Sequence, residues 1–251
     1  MTITHSGVAL VTGGGKGIGA GIAEALARTG MPVAVNYAYG KDTADAVVDR
    51  IRSAGGTAAA FQADISDEQA TEAMFTAIRD TLGPVRTLVN NAGLWNFQTL
   101  LDVTVAEYRR HYDTNVLGNL LTSREFARQP DADGGTIINL TSVGIGPASP
   151  GTTLYIGTKA AIASMTRILA VELAPRGIRV NAIAAGLVDT EGTRASGFIG
   201  SAAAEATVAT IPLGRMGTPD DIADVAAFLA SEAARYVTGE TVFAAGGMQL
   251  T

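Results

Sequence analysis

Val8-Ala9-Leu10-Val11-Thr12-Gly13-Gly14-Gly15-Lys16-Gly17-Ile18-Gly19 is the stretch that decides the fold. Its first four residues are apolar without alternation, which marks a strand buried on both faces. A glycine cluster follows, and residues 17–28 then read as a helix closed by Gly30. Strand, glycine turn and helix in that order suit a phosphate. Glycine admits positive φ and close approach, and a helix start offers unpaired amides and the positive end of its dipole. The plain alternative is an ordinary tight turn. The turn is not a nucleoside-triphosphate loop, because Lys16 is followed by Gly17 and not by Ser or Thr. Gly157-Thr158-Lys159 has the wrong order for one as well.

Working outward, the alternation of strand and helix continues. Strands are expected at residues 32–37, 58–63, 85–89, 136–140, 179–184 and 241–244. Helices are expected at 42–53, at 67–82 behind a cap at Ser66, at 153–173, and at 218–231 with Thr218 as cap and Pro219 first. A long helical stretch over 105–128 is interrupted by Asn115 and Gly118, and residues 130–135 form a polar turn. No linker and no repeat divides the chain. The pattern predicts one α/β domain over residues 1–251, a doubly wound Rossmann fold with about seven parallel strands and helices on both faces. Ligands of such sheets sit at the carboxyl ends of the strands, near the topological switch. Gly13 to Gly19, Asn36, Asp64, Asn90 to Gly93, Ser142 and Gly186 all fall just after an expected strand.

Composition narrows the function. The 251 residues are 47% hydrophobic and 17% charged, a globular balance. The net charge of −6 and the lack of any basic run argue against a nucleic-acid partner. There is no cysteine, hence no disulfide framework, and only His5 and His111 among histidines, so no metal site of the usual ligand types is expected. The first seven residues read as a lead-in to a strand, not a signal peptide, and by this reading no apolar stretch reaches the ~18 residues a membrane span needs. The expected location is the cytoplasm.

Tyr155 and Lys159 stand four residues apart, on one face of an expected helix. A neighbouring ammonium favours the phenolate and lowers a tyrosine's pKa, which suits a proton donor to a carbonyl oxygen. The bland alternative is two surface residues on an amphipathic helix. At the end of the second strand stands Asn36 or Tyr37, with no carboxylate to meet a ribose 2′-hydroxyl or repel a 2′-phosphate. Lys16 offers a positive charge nearby. These two features favour NADP(H) over NAD(H), although NAD(H) remains open and Lys16 reads equally as a solvated surface lysine.

Together these pieces resemble the short-chain dehydrogenase/reductase family over essentially the whole chain. Its Thr-Gly-x-x-x-Gly-x-Gly matches Thr12 to Gly19, and its Asn-Asn-Ala-Gly matches residues 90–93. Its Tyr-x-x-x-Lys matches Tyr155 and Lys159, with the family serine at Ser142 and the helix-breaking asparagine at Asn115. The chain looks most like the 3-oxoacyl-[acyl-carrier-protein] reductase group and its ketone- and sugar-reducing relatives. The resemblance implies Tyr155 as general acid/base, Lys159 as its electrostatic partner and a ribose ligand, and Ser142 as donor to the substrate oxygen. It implies that Asn115 holds a water beside Lys159. For the cofactor it implies Gly13, Gly15, Lys16, Gly17, Ile18 and Gly19 at the phosphates, and Asn36 near the adenosine ribose. Asp64 and Ile65 would meet the adenine, Asn91, Ala92 and Gly93 the cofactor's path, and Gly186, Val188 and Thr190 the nicotinamide amide. A dinucleotide-binding sensor or scaffold without turnover is the alternative.

Departures are visible. Ala185-Gly186 stands where the family has Pro-Gly, and Ala245 precedes the terminal Gly246-Gly247 where Asp or Asn is usual. Residues 187–212 form a long connection, read as a mobile substrate loop. Trp95 and Phe97 either line the pocket mouth or simply pack. The helices around 105–128 and 153–173 carry Ala160, Ala161, Ala163, Met165, Ile168 and Leu169, more apolar surface than one sheet covers. With Phe243 and Met248-Gln249-Leu250, and with the way related reductases pair, this predicts a homotetramer, or a dimer as the lesser assembly.

Overall fold

A computed structural model describes residues 7–130, 134–147 and 149–250. His5, the first six residues of the expected lead-in, residues 131–133 of the polar turn and Ala148 lie outside the described residues. Seven strands form one sheet in the order β3-β2-β1-β4-β5-β6-β7, and every adjacent pair is parallel. They are β1 (Val8–Val11), β2 (Val33–Tyr37), β3 (Ala58–Gln62), β4 (Val85–Asn90), β5 (Gly135–Ser142), β6 (Ile178–Ala185) and β7 (Thr241–Ala244). The chain steps outward from β1 to β3, then returns to place β4 on the other side of β1. That reversal opens a crevice above β1 and β4.

Alternate residues feed the two faces, as a period of two requires. Ala9 and Val11 of β1 join a core with Ile22, Leu26, Val47, Ile51, Ile222 and Leu229. Those residues belong to α1 (Gly17–Arg28), α2 (Lys41–Ser53) and α9 (Pro219–Ala230). Val8 and Leu10 face the other way, onto Met74, Phe75, Ile78, Phe126 and Ala170. These come from α3 (Glu68–Thr81), α5 (Gly118–Arg128) and α6 (Thr153–Leu173). A buried polar seam ties the second layer to the sheet. Asn90 donates to Ser123 and to Asn139, Asn119 donates to Asn139, and Asn139 donates to Thr166. Buried amides of this kind are tolerated because each finds a partner.

Several local expectations are corrected. The cap of α3 is Asp67, whose carboxylate accepts from Ala70 N at 2.9 Å; Ser66 instead bonds Asp64. The long helix over 105–128 is two helices, α4 (Val105–Tyr112) and α5, joined by a π-helical turn at Asp113–Leu117 that holds Asn115. The loop at 187–212 is not a plain connection. It contains α7 (Glu191–Ala195) and α8 (Ala202–Thr210). Thr190 and Thr193 cap α7 reciprocally. The segment Thr153–Arg176 is long and apolar enough to cross a bilayer, contrary to the sequence reading. Here one face of that helix packs on the sheet, against β5 and β6.

Candidate active site

The carboxyl ends of β1, β2, β4, β5 and β6 open into one cleft of about 1410 Å³. Its floor is a hydrogen-bonded knot built on Thr12. The Thr12 hydroxyl donates to Val89 O and accepts from the amides of Asn91 and Ala92, both at 3.0 Å. The Asn91 side chain donates back to Thr12 O and Gly13 O at 2.9 and 3.1 Å. The glycine turn and the Asn-Asn-Ala-Gly turn are thus one rigid unit. Glycine is required within it. Gly13 has φ of +60°, and a Cβ on Gly19 would lie 2.5 Å from Gly13 O.

Asn36 belongs both to the knot and to the lining of the cleft. It is 1% exposed, accepts from Gly13 N, and donates to Phe61 O and Ala63 O. Its side chain thus braces the turn from the end of β2. What faces the cleft beyond β2 is Tyr37, Ala38, Tyr39, Gly40 and Thr43. The N-terminus of α2 has no side-chain cap and abuts Gly15, where a Cβ would lie 3.2 Å from Ala44 N. Lys16, exposed, lines the cleft between this helix start and that of α1. Asp64 and Ile65 line it beyond β3.

The start of α1 already holds an anion. Lys16 gives no side-chain cap, and the Gly17 amide donates to the Glu191 carboxylate at 3.1 Å. A carboxylate on a helix N-terminus is favourable for the reasons that favour a phosphate there. The residues therefore fit the phosphates of a dinucleotide, with Glu191 standing in the same electrostatic niche. Sequence reasoning missed Glu191, whose partner lies 174 residues away. Thr190 packs beside Gly17, and Val188 is buried and bridges to Gly217.

On the other side of the crevice, Ser142 ends β5 while Tyr155 and Lys159 lie one turn apart on α6. All three line the cleft. Burial pushes the Tyr155 phenol above its ordinary pKa, and a hydrogen bond from Ser142 pulls it the other way. Lys159 is 5% exposed, and burial lowers its pKa to about 8. Its ammonium donates to Leu140 O at 2.8 Å and sits 5.8 Å from the Tyr155 ring centroid. In the free protein burial and the Ser142 hydrogen bond act on the phenol in opposite directions, and the Lys159 ammonium stands close enough to the ring to favour a phenolate when one forms.

Asn115 is likewise a brace. Its side-chain oxygen accepts from Leu94 N at 2.7 Å, and its amide donates to Leu94 O and Thr158 Oγ1, both at 2.9 Å. Thr158 in turn donates to Tyr155 O. Asn115 thus clamps the turn after β4 to the helix that carries Tyr155. Gly93 is needed beside it, since a Cβ there would lie 3.2 Å from Asn115 Oδ1 and 3.5 Å from Lys159 Nζ.

The departures lie at the adjacent ends of β6 and β7, where Gly186 packs against Ala245. A Cβ on Gly186 would lie 2.7 Å from Ala245 Cα. With alanine in place of proline, β6 continues its register through Ala185, opposite both Ser142 and Ala244. Trp95 and Phe97 do line the cleft mouth. Their ring centroids are 5.7 Å apart, and Phe97 meets Tyr155 edge-on at 6.2 Å.

Known proteins with these features are recognisable by comparison. Residues 13–249 match a family model described as enoyl-(acyl carrier protein) reductase. An uncharacterised oxidoreductase of Methylorubrum extorquens is 48% identical over 249 residues, covering 99% of this chain and 100% of the relative. A 3-oxoacyl-[acyl-carrier-protein] reductase of Staphylococcus aureus is 40% identical over 254 residues, with full coverage of both chains at 100%. Among solved structures, a short chain dehydrogenase from Burkholderia cenocepacia in complex with NADP superposes with a TM-score of 0.89 at 34% identity, covering 96% of each chain.

Proposed function

We propose, from the premise that this chain belongs to the short-chain dehydrogenase/reductase family, that it is an NADP(H)-preferring ketoreductase with Tyr155 as proton donor. Hydride transfer between a nicotinamide cofactor and a ketone or secondary alcohol is the reaction of the chain. The observation that carries the assignment of residues is the convergence of Ser142, Tyr155 and Lys159 on the cleft wall, facing an uncapped helix start across the crevice. When bound, the nicotinamide supplies the hydride. The chain's own residues manage the proton and the charge. Tyr155, a phenol and therefore protonated at neutral pH, gives its proton to the carbonyl oxygen. Ser142 holds the same oxygen as charge develops on it. The Lys159 ammonium steadies the phenolate left behind, and Asn115 keeps α6 in register with the turn at Leu94. With Tyr155, Ser142 and Lys159 all in place, a sensor or scaffold without turnover finds no support.

The preference for the 2′-phosphate rests on Lys16 and the uncapped start of α2, with no carboxylate at the end of β2. The NADP complex of the Burkholderia relative is consistent with it. Lys16→Ala should weaken NADPH binding about tenfold or more while changing NADH binding little, on the scale of a charged hydrogen bond. Equal losses for the two cofactors, or a wild-type preference for NADH, would overturn the preference.

Assembly as a homotetramer belongs to the same proposal. Leu101 is 95% exposed and Val171 75%, on the layer that contains α4, α5 and α6, and Phe243 and Leu250 are exposed at the other end of the sheet. Only 33% of the apolar window of Thr153–Arg176 is buried within one chain. A cytoplasmic location is part of the proposal too, supported by a chain without cysteine.

A further inference from the structure

The substrate side of the cleft has a wall of a particular chemistry. Phe97 stands edge-on to Tyr155, and Trp95 tilts against Phe97. Pro147, Pro150, Phe198 and Met248 complete the apolar surround. The aromatic pair is held from behind, not loose. Gln98 N donates to Gly151 O at 2.9 Å, and the Trp95 ring stands beside Gly192, where an added Cβ would meet it at 3.6 Å. Yet Trp95 is 40% exposed and Phe97 57%, so ring surface still faces the cleft mouth.

The charged residues that line the cleft are engaged or distant from this wall. Lys16, Asp64 and Glu191 belong to the cofactor's phosphate and adenine end, Arg110 pairs with Glu107, and Lys159 is bonded to Leu140 O. Among the described lining residues, a carboxylate or phosphate on the substrate would find only Lys159, which is buried, and Arg110, which is already paired with Glu107, outside the cofactor end of the cleft. A flat apolar group would find ring faces and edges at the spacing aromatic pairs adopt.

Building on the ketoreductase reading, we infer that the substrate is a neutral ketone bearing an aryl group next to the carbonyl, and that Trp95 and Phe97 are the residues that select it. The carbonyl oxygen lies at Tyr155 and Ser142, and the aryl ring continues the series Tyr155, Phe97, Trp95. Each aromatic contact discriminates by about threefold to tenfold over an aliphatic group of similar size.

The test compares kcat/KM with saturating NADPH for acetophenone, 2-butanone and the 3-oxobutanoyl thioester of N-acetylcysteamine. Wild type is compared with Phe97→Ala, Trp95→Ala and the ring-keeping Phe97→Tyr and Trp95→Phe. Acetophenone should lead by about tenfold or more. Each alanine variant should erase most of that lead, chiefly through KM, and each ring-keeping variant should retain it. Unchanged NADPH affinity, read by fluorescence, certifies the fold of each variant. A lead for butanone or the thioester overturns this inference and leaves the ketoreductase reading standing, as does an acetophenone lead that survives both alanine variants. Turnover of none of the three overturns both.

Discussion

Replacing Glu191 by glutamine should tighten the binding of NADPH to the free enzyme. Glu191 is a carboxylate on the first amide of α1, 3.1 Å from Gly17 N. On the proposed placement the phosphates of the cofactor would compete for that same helix start, so the carboxylate would have to move off it. An anion at an exposed helix N-terminus is worth about 0.5–1 kcal/mol. Glutamine keeps the size and an acceptor oxygen but removes the charge. Affinity for NADPH should therefore rise about two- to fivefold. The gain should shrink as salt is added, because an exposed charge is screened within about 10 Å at 0.1 M. The chain carries its own reporter. Trp95 is the sole tryptophan, and a Cβ built on Gly192 of α7 would lie 3.6 Å from its ring. Titration of NADPH against tryptophan emission reads binding beside α7. Unchanged or weaker binding in Glu191→Gln, at low salt, would refute the idea that this carboxylate occupies the phosphate niche.

Two further outcomes follow from burial. Lys159 has its pKa lowered from 10.5 to about 8, so its folded form penalises the ammonium below pH 8, and the penalty is relieved as pH rises from 8 to 10.5. The unfolding free energy of wild type should rise over that window by about 3 kcal/mol relative to Lys159→Met; parallel pH profiles in denaturant melts would contradict it. The exposed apolar faces should bring four chains together, so light scattering at micromolar concentration should give a tetramer, and Val171→Asp with Ile168→Asp should reduce it to smaller species. A monomer in wild type would refute the assembly.

Much of the fold was legible because it is written locally. The bounds of α1, α6 and β7 follow from apolar runs, a glycine stop and the turn residues beside them, and Thr218 with Pro219 announced α9. What escaped was set by distant partners. Asn36 stands at a strand end, where sequence suggests a ligand contact, but its bonds reach Gly13, Phe61 and Ala63. Asn115 reads as a helix irregularity, and only the folded chain shows Leu94 and Thr158 around it. The spacing of Tyr155 and Lys159 was plain, but the direction of the tyrosine's pKa is decided by burial, which spacing does not encode. Helix α8 escaped for a different reason: its sequence is nearly all small, only Ala204 is buried, and no apolar stripe announces it.

The central claim is that Tyr155 delivers the proton while the rest of the cleft binds the cofactor. Tyr155→Phe tests it most directly, because it keeps the ring that meets Phe97 and deletes only the hydroxyl. Turnover of a ketone with NADPH should fall by about 10² or more, the scale for losing a general acid, while NADPH affinity stays within about twofold. Turnover near the wild-type rate in a variant that still binds NADPH would contradict the account.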